Sequence, residues 1–300
     1  MKNIKALLPF LIAMSIGCSS VEPLPAPTTK TMTYQMDLLT VKKMQSQLSR
    51  NCPQKIDKID GKNWRPILEA SNACVVEKNW SKVETLGQIL ADNHPTSPWG
   101  FYYLALAAEA KSDNLRALWM LEKAGSIDKN LAAVHYQKGR VLAKNNETGA
   151  AMAAFQKALE LENELPEASS FVAKVFLKDR DFPRAEKYFR MVLKAEPFNR
   201  DALAGVAHCR REAGDFKIAM DYWERVISKN SKDFEARYNK AQILEVHLKK
   251  IDEALLEYQF LSGLVRENKG SVEFDLNHKI KNLEKLVKSQ KQELAARSKK

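Results

Sequence analysis

The chain has 300 residues, of which 45% are hydrophobic and 28% charged, a composition typical of a folded soluble protein and not of a disordered one. It contains only 11 Gly and 11 Pro, and helix-favouring residues dominate, so we expect helix almost throughout and hardly any strand. The net charge of +11 is compatible with nucleic acid, an anionic membrane or an acidic protein partner, and the cellular compartment has to decide among these.

Residues 1–17 have the features of an export signal. Two lysines precede an apolar run at residues 6–16, which is too short to span a bilayer and has the length of a signal-peptide core. The run ends in Ser15-Ile16-Gly17-Cys18, which resembles the lipobox of bacterial lipoproteins, although Ser15 stands where Leu is usual. The resemblance implies cleavage after residue 17 and acylation of Cys18. An ordinary cleaved signal with an unrelated cysteine is the alternative.

The residue after Cys18 bears on the compartment. Because Ser19 and not Asp follows, the lipoprotein resemblance implies anchoring at the outer membrane, facing the periplasm. Two or more acyl chains on Cys18 would hold the protein there stably. Export also removes nucleic acid from the plausible partners. Residues 18–33 contain three alternating prolines, a pattern that predicts a stiff, extended tether.

Three further cysteines lie beyond the tether. Cys52 and Cys74 flank a turn-rich stretch, and an exported protein permits disulfides, so we predict a bridge between them. Such a bridge would join the segment at 34–63, predicted to be an N-terminal capping helix and turn, to the helix that follows. Cys209 lies on an apolar helix face and is predicted to be a small core residue.

An internal repeat occupies the middle of the chain. Alanines recur every 34 residues, and the last interval is 35: Ala117, Ala151, Ala185, Ala219 and Ala254. Four positions after each alanine comes a large side chain: Leu121, Phe155, Phe189, Trp223 and Tyr258. Twelve positions before each alanine comes Ala105, Gly139, Ala173, Ala207 or Gln242. Small residues let two helices approach closely, and the large ones fill the gap between neighbouring pairs. We therefore expect a series of stacked helical pairs.

The pattern resembles the tetratricopeptide repeat (TPR), a helix–turn–helix unit of 34 residues. The resemblance implies an all-α, right-handed solenoid over residues 64–268, with one degenerate and five clear repeats. The last repeat departs from the pattern at Gln242, and we expect its extra residue to widen the turn. Solenoid ends need caps. Residues 269–300 contain an amphipathic stripe, predicted to be a C-terminal capping helix followed by a basic tail; a coiled-coil docking helix is the alternative.

The resemblance also implies a concave groove lined by the first helix of each repeat. The groove residues that it indicates are Trp99, Tyr102, Tyr136, Arg140, Lys144, Lys174, Lys178, His208, Arg211 and Asn239. They divide into an aromatic end and a basic middle, which would attract an acidic or carboxylate-bearing segment. A solvated face without a ligand is the alternative reading. The residues with which chaperone-binding members of the family hold a carboxylate are absent, so chaperone-tail binding is not indicated.

The sequence contains no catalytic signature. There is no phosphate-binding loop, no nucleophile elbow and no C-x-x-C pair, and the five histidines lack metal-ligand spacing. We therefore predict no enzyme, no metal and no cofactor apart from the covalent lipid on Cys18. The predicted function is a membrane-anchored scaffold that binds a protein partner of the cell envelope, in pilus or secretin, cell-wall or motility machinery. The alternative is a structural envelope component that uses its ends or convex face.

Overall fold

The computed structural model describes residues 51–56, 59–268 and 273–297. The predicted signal peptide, the predicted acylation site Cys18, the tether and residues 34–50 of the predicted N-terminal cap lie outside these residues, as do the last three residues of the basic tail.

Within the described residues the chain forms α-helices, one π-helical segment and no strand. The helices are, in chain order, α1 (Trp64–Val76), α2 (Trp80–Asn93), α3 (Trp99–Ala110), α4 (Asn114–Ile127), α5 (Ala132–Lys144), α6 (Thr148–Leu161), α7 (Pro166–Lys178), α8 (Phe182–Ala195), α9 (Arg200–Glu212), α10 (Phe216–Lys229), α11 (Phe234–Gln242), α12 (Ile251–Asn268) and α13 (Glu273–Arg297). The π-helical segment, Ile243–His247, follows α11 directly.

The helices stack in sequence order. Each helix from α2 to α12 packs on the one before and the one after it, so that α1–α2 to α11–α12 form six helical pairs. Contacts between helices that are distant along the chain are few, as expected for a solenoid, in which each repeat contacts only its neighbours. The predicted all-α repeat fold is confirmed.

Each pair turns through a residue in the left-handed backbone region. These residues recur every 34 positions, with a final interval of 35: Lys78, Ser112, Asn146, Arg180, Gly214 and Lys249. The turn closes by a hydrogen bond across five residues, for example from Asp113 N to Ala108 O at 2.9 Å and from Asp215 N to Arg210 O at 2.9 Å. This is the Schellman arrangement, which satisfies the carbonyls that a helix end leaves open.

Small residues bring the helices together where the repeat pattern predicts it. A Cβ atom added to Gly139 in α5 would lie 2.7 Å from Cδ1 of Phe155 in α6, inside one repeat. A Cβ atom added to Gly205 in α9 would lie 2.4 Å from Cε2 of Phe189 in α8, across two repeats. Both distances are shorter than any ordinary carbon–carbon contact, so each ring packs directly on the helix backbone.

The last repeat accommodates its extra residue inside a helix and not in the turn. Residues Ile243–His247 form a π-helix, in which Leu248 N donates to Ile243 O at 3.0 Å. A π-segment is the usual way to insert one residue into an α-helix. The small residue of this repeat is therefore Ala241, which is fully buried, while Gln242 is partly exposed. The expectations that Gln242 takes the small-residue position and that the turn is widened were wrong.

The two ends of the described solenoid are covered differently. At the C-terminal end, Leu276, Leu283 and Val287 of α13 are buried in a cluster with Tyr258 and Leu261 of α12, so the amphipathic stripe packs on the last repeat.

At the other end, a disulfide joins Cys52 to Cys74 of α1. The backbone N–H of Cys52 also donates to Oε1 of Glu77 at 2.7 Å, and Lys82 Nζ donates to the carbonyl of Pro53 at 2.8 Å. The segment before α1 is thereby held against the first repeat.

Candidate binding groove

The residues predicted to line the groove all lie on the first helices of the repeats, but the structure gives them different environments. Trp99 and Tyr102 belong to α3, and Tyr136 to α5; the polar residues follow on α5, α7, α9 and α11. Their burial and hydrogen bonding decide which of them can meet a ligand.

The aromatic end of the predicted groove is part of the core. Trp99 is 0% exposed, and Tyr102 and Tyr136 are also buried. Trp99 packs edge-on against Tyr102, with ring centroids 5.4 Å apart, and Tyr136 packs on Phe155 at 5.9 Å. Burial raises the pKa of Tyr102 to about 12. The prediction of an aromatic zone that a ligand can reach was therefore wrong, because these three side chains pack into the core.

A buried carboxylate organises the next part of the surface. Glu109, at the end of α3, is 7% exposed and accepts hydrogen bonds from Gln137 and Lys144 of α5. Arg140 Nη2 lies 3.7 Å from the same carboxylate. Both predicted cations of this repeat are thus directed at one internal anion. They connect the first two clear repeats, and their positive charge is partly neutralised.

Further along, the lysines of α7 reach solvent. Lys174 Nζ donates to Oδ2 of Asp201 in α9 at 2.7 Å, with both side chains about half exposed. This hydrogen bond from Lys174 lowers the pKa of Asp201. Lys178, one turn later, is exposed and makes no ion pair with any described residue. The positive charge available to a partner is therefore concentrated at α7.

Four of the predicted residues meet in one cavity of about 370 Å³ between α7, α9 and α11. They are Lys174, His208, Arg211 and Asn239. The floor is apolar and is formed by the buried rings of Phe189 and Trp223 together with Ala204 and Gly205. An apolar floor with a few converging polar groups is the usual form of a binding pocket.

Arg211 is held in place on three sides. Its Nη1 donates to Oδ1 of Asn239 at 2.9 Å, its Nη2 to Nδ1 of His208 at 2.9 Å, and its Nε to Glu212 at 3.2 Å. Burial, and then the positive charge of Arg211, lower the pKa of His208. The imidazole is therefore neutral at pH 7, and the guanidinium is oriented for recognition.

The cavity also contains residues that were not predicted. Arg200 donates to both carboxylate oxygens of Asp233, at 3.1 and 3.2 Å, and to Glu235 at 2.6 Å. Arg200, Asp201 and Glu235 line the cavity at the start of α9 and α11. The sequence shows that these charged residues lie at the starts of two successive first helices. It does not show that they line one cavity, because only the stacking of the repeats brings the two helix starts together.

The described residues show no metal-binding or membrane-spanning feature. No group of three or more His, Cys, Asp or Glu side chains among them is placed to hold a metal ion. None of the helices in this part of the chain is both long and apolar enough to cross a bilayer. Cys209 is buried, and burial raises the pKa of its thiol to about 12.

Stacked helical pairs with a polar inner surface define the class of helical-repeat scaffold, whose function is to bind other proteins. Residues 136–259 match the family model of the tetratricopeptide repeat in three overlapping segments, 136–200, 172–216 and 207–259. The matched residues are therefore tetratricopeptide repeats, and proteins with such repeats typically serve as scaffolds and not as enzymes.

Solved structures with the same fold include two repeat proteins of low sequence identity. YrrB, described as a TPR protein with an unusual peptide-binding site, has a TM-score of 0.57 and 17% identity, over 65% of this chain and 97% of that one. PilF of Pseudomonas aeruginosa has a TM-score of 0.55 and 16% identity, over 73% and 99%. At such identities the likeness shows the fold alone.

A curated relative is the anaphase-promoting complex subunit 3 of Schizosaccharomyces pombe. It is 20% identical over 284 residues, which cover 95% of this chain and 42% of the relative. This chain thus matches less than half the length of that relative.

Proposed function

We propose that the protein is a lipid-anchored, periplasm-facing scaffold that holds an extended or acidic segment of a protein partner in its groove. The observation that carries this proposal is the cavity between α7, α9 and α11, into which polar side chains from three consecutive repeats converge. Each of these side chains stands on a rigid helix, so the geometry of the surface is present before a partner arrives.

The charges of the groove support an acidic partner. Lys174 and Lys178 expose their side chains on α7, and Lys178 lacks a counterion among the described residues. The Lys174–Asp201 pair is about half exposed, and such exposed ion pairs contribute at most about 1 kcal/mol, so a partner carboxylate can replace Asp201 at small cost. Cations of this kind also accelerate the encounter with an acidic segment.

The cellular setting in the proposal comes from the N-terminal sequence. The lipobox-like Ser15-Ile16-Gly17-Cys18 supports acylation of Cys18, and Ser19 supports the outer membrane. The setting is tested by labelling cells with a radioactive fatty acid and fractionating their membranes. Wild-type protein is expected to carry label in the outer-membrane fraction, whereas Cys18→Ser should carry none. Label on the Cys18→Ser variant, or none on the wild type, would remove the anchor from the proposal.

The groove is tested by crosslinking and pull-down from cell envelopes. Wild type is compared with Lys174→Glu/Lys178→Glu on α7 and with the matched control Lys187→Glu/Lys194→Glu on α8, whose lysines are exposed on the second helix of the same repeat. A protein that is captured by wild type and by the control, but lost from the α7 variant, supports the groove.

Circular dichroism verifies that both variants remain folded. Because the two variants have the same change of charge, a loss shared by both is a general charge effect. That outcome, or capture retained in the α7 variant, contradicts groove binding.

A second candidate is a structural envelope component that docks through the outer surface. Leu115 is 82% exposed and Trp119 is 53% exposed, four residues apart on one face of α4, the second helix of its repeat. Exposed apolar groups of this size commonly mark interfaces. Under this alternative Leu115→Ser/Trp119→Ser abolishes capture of envelope partners while the α7 variant retains it.

A further inference from the structure

The C-terminal helix α13 has two opposite faces of different chemistry. One face is the apolar stripe that packs on α12. The other face presents Lys281, Lys285 and Lys288, all of them exposed. Because a helix turns by about 100° and rises by about 1.5 Å per residue, these lysines lie within an arc of about 60° and span about 10 Å along the axis. Their ammonium groups can therefore contact one flat surface together.

These three lysines have no counterions in the part of the chain that the structure describes. None of them makes an ion pair or a hydrogen bond with another described residue. Cations of the repeats are commonly paired; Arg210, for example, binds Glu186 at 2.6 Å and Asp215 at 2.8 Å. Like charges three and four residues apart on a helix repel each other and destabilise it. A negatively charged surface would remove this repulsion, so the row of lysines is suited to a polyanion.

The acidic residues nearest to the row do not pair with it. Glu284 and Glu293 lie outside the arc, one on each side. Glu284 accepts a hydrogen bond from Nε2 of Gln259 in α12 at 3.4 Å, so its carboxylate is directed toward the last repeat. The row continues with Gln292, which is exposed and neutral. The lysines therefore keep their positive charge available to a partner.

We infer that the row formed by Lys281, Lys285 and Lys288 binds an anionic phospholipid surface. Protein partners usually need an apolar or aromatic anchor, and the arc of the row contains none. Lipid headgroups need only charge, and each lysine near an anionic bilayer strengthens binding by roughly fivefold. The membrane as the partner rests on the proposed anchoring, which keeps the chain beside a bilayer, so that even a weak contact is occupied.

Flotation with lipid vesicles tests the inference. The protein is the predicted mature chain without its lipid, residues 19–300, which contains every described residue. Vesicles of phosphatidylcholine are compared with vesicles that contain phosphatidylcholine and phosphatidylglycerol in equal parts. The protein is expected to float only with the anionic vesicles, and its binding should decline as sodium chloride screens the charges.

Two triple variants of α13 separate charge from side-chain shape. Lys281→Gln/Lys285→Gln/Lys288→Gln should weaken binding to the anionic vesicles by roughly 100-fold, since each lysine contributes roughly fivefold. Lys281→Arg/Lys285→Arg/Lys288→Arg keeps the charges and should bind as the wild type does. The three side chains are exposed, so both variants should remain folded, which circular dichroism verifies.

The matched control removes three exposed lysines from the repeats. Lys187→Gln/Lys194→Gln/Lys217→Gln alters α8 and α10 and has the same net charge as the glutamine variant of α13. It should bind the anionic vesicles almost as well as the wild type does. Equal weakening in the two variants would show a general effect of net charge and would overturn the inference.

A fluorescent label locates the contact on the protein. Gln292→Cys in the row and Ala153→Cys on α6 place a thiol at exposed positions, whereas the native Cys209 is buried. Each variant carries a dye whose emission depends on its surroundings. Anionic vesicles should shift the emission of the Gln292→Cys label and leave that of the Ala153→Cys label unchanged.

A polyglutamate peptide represents the alternative of an acidic protein partner. The inference is overturned if this peptide shifts the Gln292→Cys label as the anionic vesicles do, if neutral vesicles are bound equally well, or if the glutamine variant of α13 binds as the wild type does. Acylation of Cys18 and partner capture by the groove are measured separately, so a failure of this contact is distinguishable from a failure of the proposed function.

Discussion

The packing of Phe189 on Gly205, between two neighbouring repeats, is expected to be sensitive to a single methyl group. Gly205→Ala in α9 would place a Cβ 2.4 Å from Cε2 and 2.5 Å from Cζ of Phe189. An ordinary contact needs about 3.4–4 Å, so the ring or the helix must move by about 1 Å. Phe189 is 1% exposed and cannot turn into solvent, so the strain falls on the α8–α9 interface.

The expected loss can be estimated from two opposing effects. Alanine is favoured over glycine inside a helix by about 0.5–1 kcal/mol, which by itself would stabilise the variant. Overpacking a well-filled core costs about 1–3 kcal/mol. We therefore expect a net loss of about 1–2 kcal/mol in the free energy of unfolding, which lowers the melting temperature by about 2–8 °C for a folded region of this size.

Urea denaturation followed by far-ultraviolet circular dichroism measures this loss, with Gly263→Ala as the matched control. Gly263 is exposed in the middle of α12, and a Cβ there meets nothing within 4 Å. The control should gain about 0.5–1 kcal/mol from helix propensity alone. If Gly205→Ala is as stable as Gly263→Ala, the close packing of Phe189 on α9 is refuted. If the packing is correct, adding Phe189→Leu should recover part of the loss.

Three other predictions concern the groove and the core. Glu109→Gln replaces a buried acceptor of Gln137 and Lys144 and should lower the free energy of unfolding by about 1–3 kcal/mol. The control Glu122→Gln, on an exposed side chain, should change the free energy of unfolding by less than about 0.5 kcal/mol. The midpoints of urea denaturation measure both effects. Because burial raises the pKa of the Cys209 thiol to about 12, Ellman's reagent should label it only in urea, and rapid labelling of the native protein would contradict its burial. Burial lowers the pKa of His208 below its usual value of 6.5, so as the pH falls the imidazole is protonated first in the unfolded chain. The free energy of unfolding should therefore decrease as the pH drops through 6.5. Comparison of urea midpoints at about pH 7.5 and about pH 5.5 should show a smaller decrease in His208→Gln than in the wild type.

The sequence alone was sufficient for the repeat architecture, for a physical reason. In a solenoid each helix packs only on its neighbours in the chain, so spacing along the sequence becomes spacing in the structure. Residues such as Gly139 and Phe155 can therefore be paired from their positions, and the structure places them in direct contact. The polar turns were predictable as well. The residue with a left-handed backbone in each turn could not be predicted, because only one of these six residues, Gly214, is a glycine.

Tertiary structure decided which side chains of the first helices are accessible. Trp99, Tyr102 and Tyr136 lie on the first helices of their repeats, as the exposed lysines of α7 do, yet they are buried. The basic residues Arg140 and Lys144 are engaged by Glu109, an arrangement that requires two repeats to be stacked.

Tertiary structure also decided the register of the last repeat and which residues line the cavity. An interval of 35 residues indicates one extra residue but does not show where it lies. In the structure the extra residue lies in the π-helix, so the small residue at the helix contact is Ala241 and not Gln242. Arg200 and Trp223 join the cavity only because α7, α9 and α11 lie side by side. Periodicity in the sequence determines which helices pack together, whereas burial and charge pairing in a groove depend on atoms from several repeats at once.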